Sequence, residues 1–308
     1  SRQKIADIFE CNANEIYFTS CGTESDNWAI KGAARAARNG RKKIVTSKIE
    51  HHAVLHTCEA LEKEGFEVTY VGVDSKGIIN MDELKAAVDD NTIIVAVMLA
   101  NNEIGTIQPI KEIAEIAHAH GALMFTDAVQ AIGAIPVKPK DLGVDMFSMS
   151  GHKIGAPKGI GLLYIRKGVN IANLVEGGGQ ERGLRSGTEA TAQIAGFAKA
   201  VELRQENYEE KLAHMAALKE YCRARLLDMG GVVPVGSGTA PHILAVSLVG
   251  YPSGNIVTEL GAQGICISAG SACHQGKASH VVSALGLDKK TAAGVIRISF
   301  SPDNTNED

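Results

Sequence analysis

A series of short polar stretches, each following an apolar run, carries residue types able to do chemistry. Cys21-Gly22-Thr23-Glu24-Ser25 opens a helical pattern. A glycine there lets the backbone approach an anion, a helix N-terminus offers unpaired N–H groups, and Thr23 adds a hydroxyl. Taken alone, such a segment is usually a plain helix cap. Glu50-His51-His52, Asn101-Asn102-Glu103 and Asp127-Ala128-Val129-Gln130 each read singly as a polar loop. In an open α/β sheet, ligands gather at the carboxyl ends of strands, so together these stretches bring imidazole, amide and carboxylate to one rim. Asp127 closes the run that begins at Ala122 and is expected to be partly buried, hence in need of a cation or donors.

Ser148-Met149-Ser150-Gly151-His152-Lys153 comes next, trailed by Gly155, Gly159 and Gly161. A lysine between a strand and a glycine-rich turn is ordinarily a surface residue. Here hydroxyls, a histidine and small residues leave room for a ligand, and a desolvated lysine of lowered pKa suits Schiff-base formation. Lysine, an upstream aspartate and an anion cradle form the constellation that pyridoxal 5′-phosphate requires. Cys273 differs from an ordinary buried cysteine in its setting. Gly270-Ser271-Ala272 precede it and His274-Gln275-Gly276-Lys277 follow, a small polar loop whose positive groups favour a thiolate.

The elements that must position these residues alternate. Strand patterns at 16–19, 43–46, 67–73, 92–99, 122–126, 146–149 and 160–165 are interleaved with helical patterns at 23–38, 52–63, 81–88 and 109–120. Asn80 with Glu83 three residues on reads as a capping box. This rhythm predicts an α/β fold, a mostly parallel sheet with helices on both faces. From Thr191 to Met229 one long helical pattern follows, leading to a strand at 242–248, a helix at 253–260 and a final strand at 295–300. The expected organisation is a large domain over residues 1–205 and a smaller α+β domain over 206–308 that carries the cysteine loop.

With 308 residues, 45% hydrophobic and 21% charged, the chain has the composition of a globular protein with room for two cores. Its net charge of −4 and lack of a dense Lys/Arg block argue against nucleic acid or an anionic membrane surface as partner. No apolar run reaches membrane-span length and no secretion signal is visible. Six irregularly spaced cysteines suit reduced thiols in a cytoplasmic compartment better than a disulfide framework. His52 and His56 lie one helical turn apart without an evident third ligand, so no metal site is expected.

The motifs resemble those of a cysteine desulfurase of the pyridoxal-phosphate-dependent class V aminotransferase superfamily. They are Gly22-Thr23-Glu24-Ser25, Glu50-His51, Asn101-Asn102-Glu103-Ile104-Gly105, Asp127-Ala128-Val129-Gln130 and Ser150-Gly151-His152-Lys153. Gly177–Gly179 leading to Arg182–Thr188, Ser268–Cys273 and Arg297 complete the colinear match. The resemblance implies an aspartate-aminotransferase-like large domain with a smaller C-terminal one, and the following roles. Lys153 carries pyridoxal 5′-phosphate as a Schiff base and shuttles the substrate's α-proton. Asp127 keeps the pyridine nitrogen protonated, His51 stacks on the ring, and Gln130 and Asn102 orient it. Gly22, Thr23, Ser150 and His152 bind the phosphate, joined by Thr188 from the neighbouring subunit of a homodimer. Arg297, with Asn102, holds the carboxylate of L-cysteine, and Cys273 receives its sulfur as a persulfide destined for an acceptor or iron–sulfur scaffold protein, or for thiolation. His274 also keeps a selenocysteine lyase in view. A small-substrate aminotransferase and a non-catalytic sulfur-relay subunit are the remaining alternatives. Against the family pattern the chain is expected to be shortened at both ends.

Overall fold

Runs of β-branched and apolar residues pair into sheets in the structure, a computed structural model that describes residues 1–38, 40–270 and 279–308. In chain order the first elements are α1 (Arg2–Ile8), β1 (Ile16–Thr19), α2 (Gly22–Ala36), β2 (Lys43–Ser47), α3 (His52–Lys63) and β3 (Glu67–Val71). Next come α4 (Met81–Ala87), β4 (Thr92–Ala96), α5 (Ile110–Ala119), β5 (Leu123–Asp127), α6 (Pro139–Leu142), β6 (Met146–Ser150) and β7 (Gly161–Ile165). The remainder is α7 (Thr191–Gln205), α8 (Tyr208–Asp228), β8 (Val232–Pro234), β9 (Ile243–Leu248), α9 (Ser253–Gly261), β10 (Ser268–Ala269), α10 (His280–Ala284), α11 (Lys289–Ala293) and β11 (Val295–Ser299).

The chain divides into two compact units, one of residues 1–71, 80–99 and 108–206, the other of residues 72–79, 100–107 and 207–308. The first holds a seven-stranded sheet in the order β1-β7-β6-β5-β4-β2-β3. Neighbours from β6 through β3 run parallel, and β7 is antiparallel to both β6 and β1. Strands β4, β6 and β7 are buried at every position, the signature of strands covered on both faces. Trp28, Phe125 and Phe147 are fully buried within this unit, and the Trp28 indole donates to the Ala172 carbonyl at 3.0 Å. Asn80 caps α4 as its spacing predicts, accepting from the Asp82 and Glu83 amides.

The second unit is built on an antiparallel sheet, β10-β11-β9-β8, whose core includes Leu244, Val246, Ile256 and Ile296. Segments 72–79 and 100–107 belong to it through specific bonds. Thr106 donates to the Lys76 carbonyl at 2.7 Å, and Ala240 N donates to the Gly105 carbonyl at 2.8 Å.

One expectation fails. The helical pattern from Thr191 to Met229 is two helices, because α7 stops at Gln205 and Asn207 takes a left-handed conformation with φ 51°. Asparagine tolerates that region better than most residues, so a helix-compatible stretch can still break there. Among the described residues no helix is long and apolar enough to cross a membrane.

Candidate functional site

The turn from β1 into α2 is shaped by close packing. Cys21 is the extended N-cap of α2, and the first-turn N–H groups of Gly22, Thr23 and Glu24 have no carbonyl inside the helix to bond. A Cβ on Gly22 would stand 2.8 Å from a Val129 methyl and 3.3 Å from Ser150 Cβ. Gly161 is tighter still: its Cβ would meet the Cys21 carbonyl carbon at 2.5 Å. Only glycines let the β1–α2 turn, the Asp127–Gln130 stretch and the β6–β7 hairpin converge. Where they converge, Thr23 is exposed and Ser150 is buried, beside the unbonded first-turn N–H groups of α2.

At the carboxyl end of β5, Asp127 is 5% exposed and accepts the Val129 N–H at 2.8 Å. Burial pushes its carboxyl above the usual range, opposed by the Val129 bond, His51, Ser148 and Lys153. A second carboxyl is beside it. Asp26, on the buried face of α2, lies with one oxygen within 4.8 Å of both an Asp127 oxygen and a His51 nitrogen. Its pKa is raised well above the carboxylate range by burial and by the Asp127 charge. Glu50 is a third buried acid, pushed up to about 8 by burial although it accepts from Met98 N and is bonded to the Ser47 hydroxyl.

His51 caps α3, its Nδ1 accepting the Ala53 N–H at 3.1 Å. That bond leaves Nε2 as the protonated nitrogen of the neutral ring, and burial lowers the ring's pKa. Thr23, His51, His52 and His56 line a recess of about 310 Å³. Lys153 and His152 sit in a short 3₁₀ turn, Gly151–Ile154, between β6 and a left-handed Gly155. Both are exposed, and Lys153 lies within electrostatic reach of Asp127 and His51. Gln130 is half-buried and Thr188 exposed. Thr188 closes a segment held by Arg185, which pairs with Glu24 through Nε at 2.8 Å, and by Glu181 and Arg182, both left-handed.

In the second unit, Arg297 on β11 donates to the Asn102 carbonyl at 2.7 Å and to the Ser268 hydroxyl at 2.9 Å. Its Nε is buried with no hydrogen-bond partner among the described residues, and burial makes the guanidinium less basic. Half-buried Asn102 is therefore next to Arg297, through its backbone. Cys273, with its loop from Ser271 to Ala278, lies outside the described residues.

Sequence reasoning missed Asp26, Glu50 as a buried acid, and the Arg185–Glu24 pair. A signal for Asp26 was present: it falls at i+4 from Gly22 and i−4 from Ile30, on the stripe α2 turns inward. An acid on such a stripe is informative, because a buried carboxyl is costly.

Comparison with known proteins agrees in scope. The model of the family described as Aminotransferase class-V matches residues 1–308. "Cysteine desulfurase IscS" from Methanosarcina thermophila is 48% identical over 312 residues, covering 100% of this chain and 77% of that protein. The protein of the same name from Clostridium botulinum is 45% identical over 315 residues, covering 100% of this chain and 79% of its own. A solved structure titled "NIFS-LIKE PROTEIN" superimposes with a TM-score of 0.93 at 41% identity, covering 99% of this chain and 82% of that one.

Proposed function

The chain belongs to the class V aminotransferase family, among its cysteine desulfurases, and on that premise we propose that it converts L-cysteine to L-alanine and takes the sulfur onto Cys273. The family depends on pyridoxal 5′-phosphate in general. The observation that carries the reading for this chain is the convergence, in one unit, of a glycine-built turn at a helix N-terminus and a buried Asp127. A cofactor phosphate would fit the first, and a protonated pyridine nitrogen would be a counter-charge for the buried second. When bound there, the cofactor supplies an electron sink for the substrate's α-carbon.

The chain's own residues do the rest. Gly22, Thr23, Ser150 and His152 hold phosphate oxygens, while Gln130 and Asn102 orient the ring. Lys153, on its short turn within electrostatic reach of Asp127 and His51, anchors the cofactor and carries a proton to and from the α-carbon. His51, fixed by Ala53 with Nε2 proton-bearing, stacks and relays protons. Arg297 binds the substrate carboxylate, for which its unpaired Nε is a ready donor. The Cys273 thiol then takes the substrate sulfur: the substrate's C–S bond breaks, an S–S bond forms, and alanine plus a persulfide balance cysteine plus thiol.

By the family pattern Thr188 serves the phosphate site of a second copy, a role its exposure leaves open, so we read the working form as a homodimer. The persulfide passes to an acceptor or scaffold protein for iron–sulfur assembly or thiolation. In this reading residues 1–205 bind the cofactor and residues 206–308 bring the cysteine loop. Cytoplasmic residence fits the thiols of Cys11, Cys21, Cys58, Cys222 and Cys266, which are all free.

The test is direct. Purified protein given pyridoxal 5′-phosphate should turn yellow, convert L-cysteine to alanine, and release sulfide with a reductant. Activity confined to L-selenocysteine, or to an amino acid with a 2-oxo acid, would overturn the assignment.

A further inference from the structure

Asp26 is 1% exposed, lies one helical turn into α2, and takes no part in the chemistry above. Its Oδ1 is buried without a hydrogen-bond partner among the described residues. An ionised carboxylate in that position would need donors on both oxygens, and among the described residues Oδ1 has none. We propose that Asp26 is a positioning residue for Asp127: it retains its proton and turns that O–H toward the Asp127 carboxylate, so that Asp127 alone of the pair is charged.

The neighbours decide which acid keeps the proton. Two carboxyls this close, away from water, do not both ionise. Asp127 has the Val129 N–H as donor, and His51 and Lys153 favour its charged form. Asp26 has burial and the Asp127 charge set against its ionisation. Glu50 has its own network in Met98 N and Ser47, so it does not compete for the same bond. An O–H donated by Asp26 would hold Asp127 in one rotamer and keep it anionic, as a pyridinium partner must be.

The consequence for the cofactor rests on the proposed function, but the proton on Asp26 does not. The first measurement is therefore made without cofactor. Infrared difference spectra of parent minus Asp26→Asn at neutral pH should show loss of a protonated carboxyl C=O band. In Asp127→Asn that band should remain but shift, since its acceptor has changed. Absence of the band overturns the proposal, and so does a band indifferent to Asp127→Asn. The second measurement is pyridoxal phosphate affinity. Asp26→Asn, neutral and isosteric, should stay within about threefold of the parent, whereas Asp26→Leu should weaken binding about tenfold or more. If Asn is as damaging as Leu, Asp26 is needed as an anion and the proposal is wrong. Should Asp26→Leu fail to fold, the Asn variant and the infrared result still decide. A parent chain that binds no pyridoxal phosphate would sink the proposed function, while the infrared band would still report the proton on Asp26.

Discussion

Replacing Gly161 with alanine should disable the cofactor site while adding a single methyl group. Gly161 opens β7, opposite Thr19 of β1 and Ser150 of β6. An added Cβ would stand 2.5 Å from the Cys21 carbonyl carbon and 2.7 Å from its oxygen, both backbone atoms that cannot swing aside as a side-chain tip would. Restoring van der Waals contact requires about 1 Å of separation between β7 and the β1–α2 turn. Such overpacking costs about 1–3 kcal/mol of stability. Its functional cost should be larger, because the strand must part from the cradle, and a misplacement of about 1 Å can lower rate about a hundredfold. Gly159→Ala is the control: φ is +81° but nothing lies within 4 Å, so it should cost about 1–2 kcal/mol of backbone strain and leave the cradle alone. Spectrophotometric titration with pyridoxal 5′-phosphate, thermal unfolding and alanine production are the assays. If Gly161→Ala binds cofactor and turns over within about twofold of the parent, the packing argument for the cradle is wrong, since 1 kcal/mol is already about fivefold.

Three further outcomes are expected. Asp127→Asn should retain the fold, judged by circular dichroism, yet lose at least about a hundredfold in alanine production, because charge-assisted bonds to a developing carbanion's sink are worth several kcal/mol. Glu50 has a folded-state pKa raised to about 8 from 4.5. The stability it contributes is thus full below about pH 4.5 and is lost as pH rises through about 8. Denaturant titrations across that window should therefore show a smaller decline for Glu50→Gln than for the parent. Asp145 is wholly buried and bonded to Arg166 Nε at 2.8 Å, Met124 N at 2.7 Å and His118 at 2.9 Å. Asp145→Ala orphans the Met124 N–H and should cost about 1–3 kcal/mol in the same assay, with cofactor affinity unchanged.

Much of the fold is legible from local pattern. Val- and Ile-rich runs such as Ile93-Ile94-Val95 read as covered strands because their burial is continuous, and Asn80 and Gly121 mark helix ends through side-chain and backbone chemistry. What depends on distant partners is not legible. The antiparallel return of β7 beside β1 pairs residues some 145 positions apart, Tyr164 with Ile16 among them. Membership of segments 72–79 and 100–107 in the second unit rests on bonds such as Thr106 to Lys76 and Ala240 to Gly105. The break at Asn207 is a backbone choice that a helix-compatible sequence does not announce. Candidate residues were found because motif types cluster after strands. Their electrostatic surroundings were not, since Asp26 and Asp127 are neighbours only once α2 packs on the sheet.

The central claim is that Cys273 accepts sulfur from L-cysteine, and a mass spectrum of the Cys273 peptide tests it most directly. After incubation of the cofactor-loaded protein with L-cysteine under non-reducing conditions, that peptide should be heavier by one sulfur atom, and a reductant should remove it. In Cys273→Ser the added sulfur and the alanine should both be absent, with cofactor still bound. An unmodified Cys273 in a protein that is producing alanine, or sulfur found instead on another cysteine such as Cys266 or Cys21, would contradict the account.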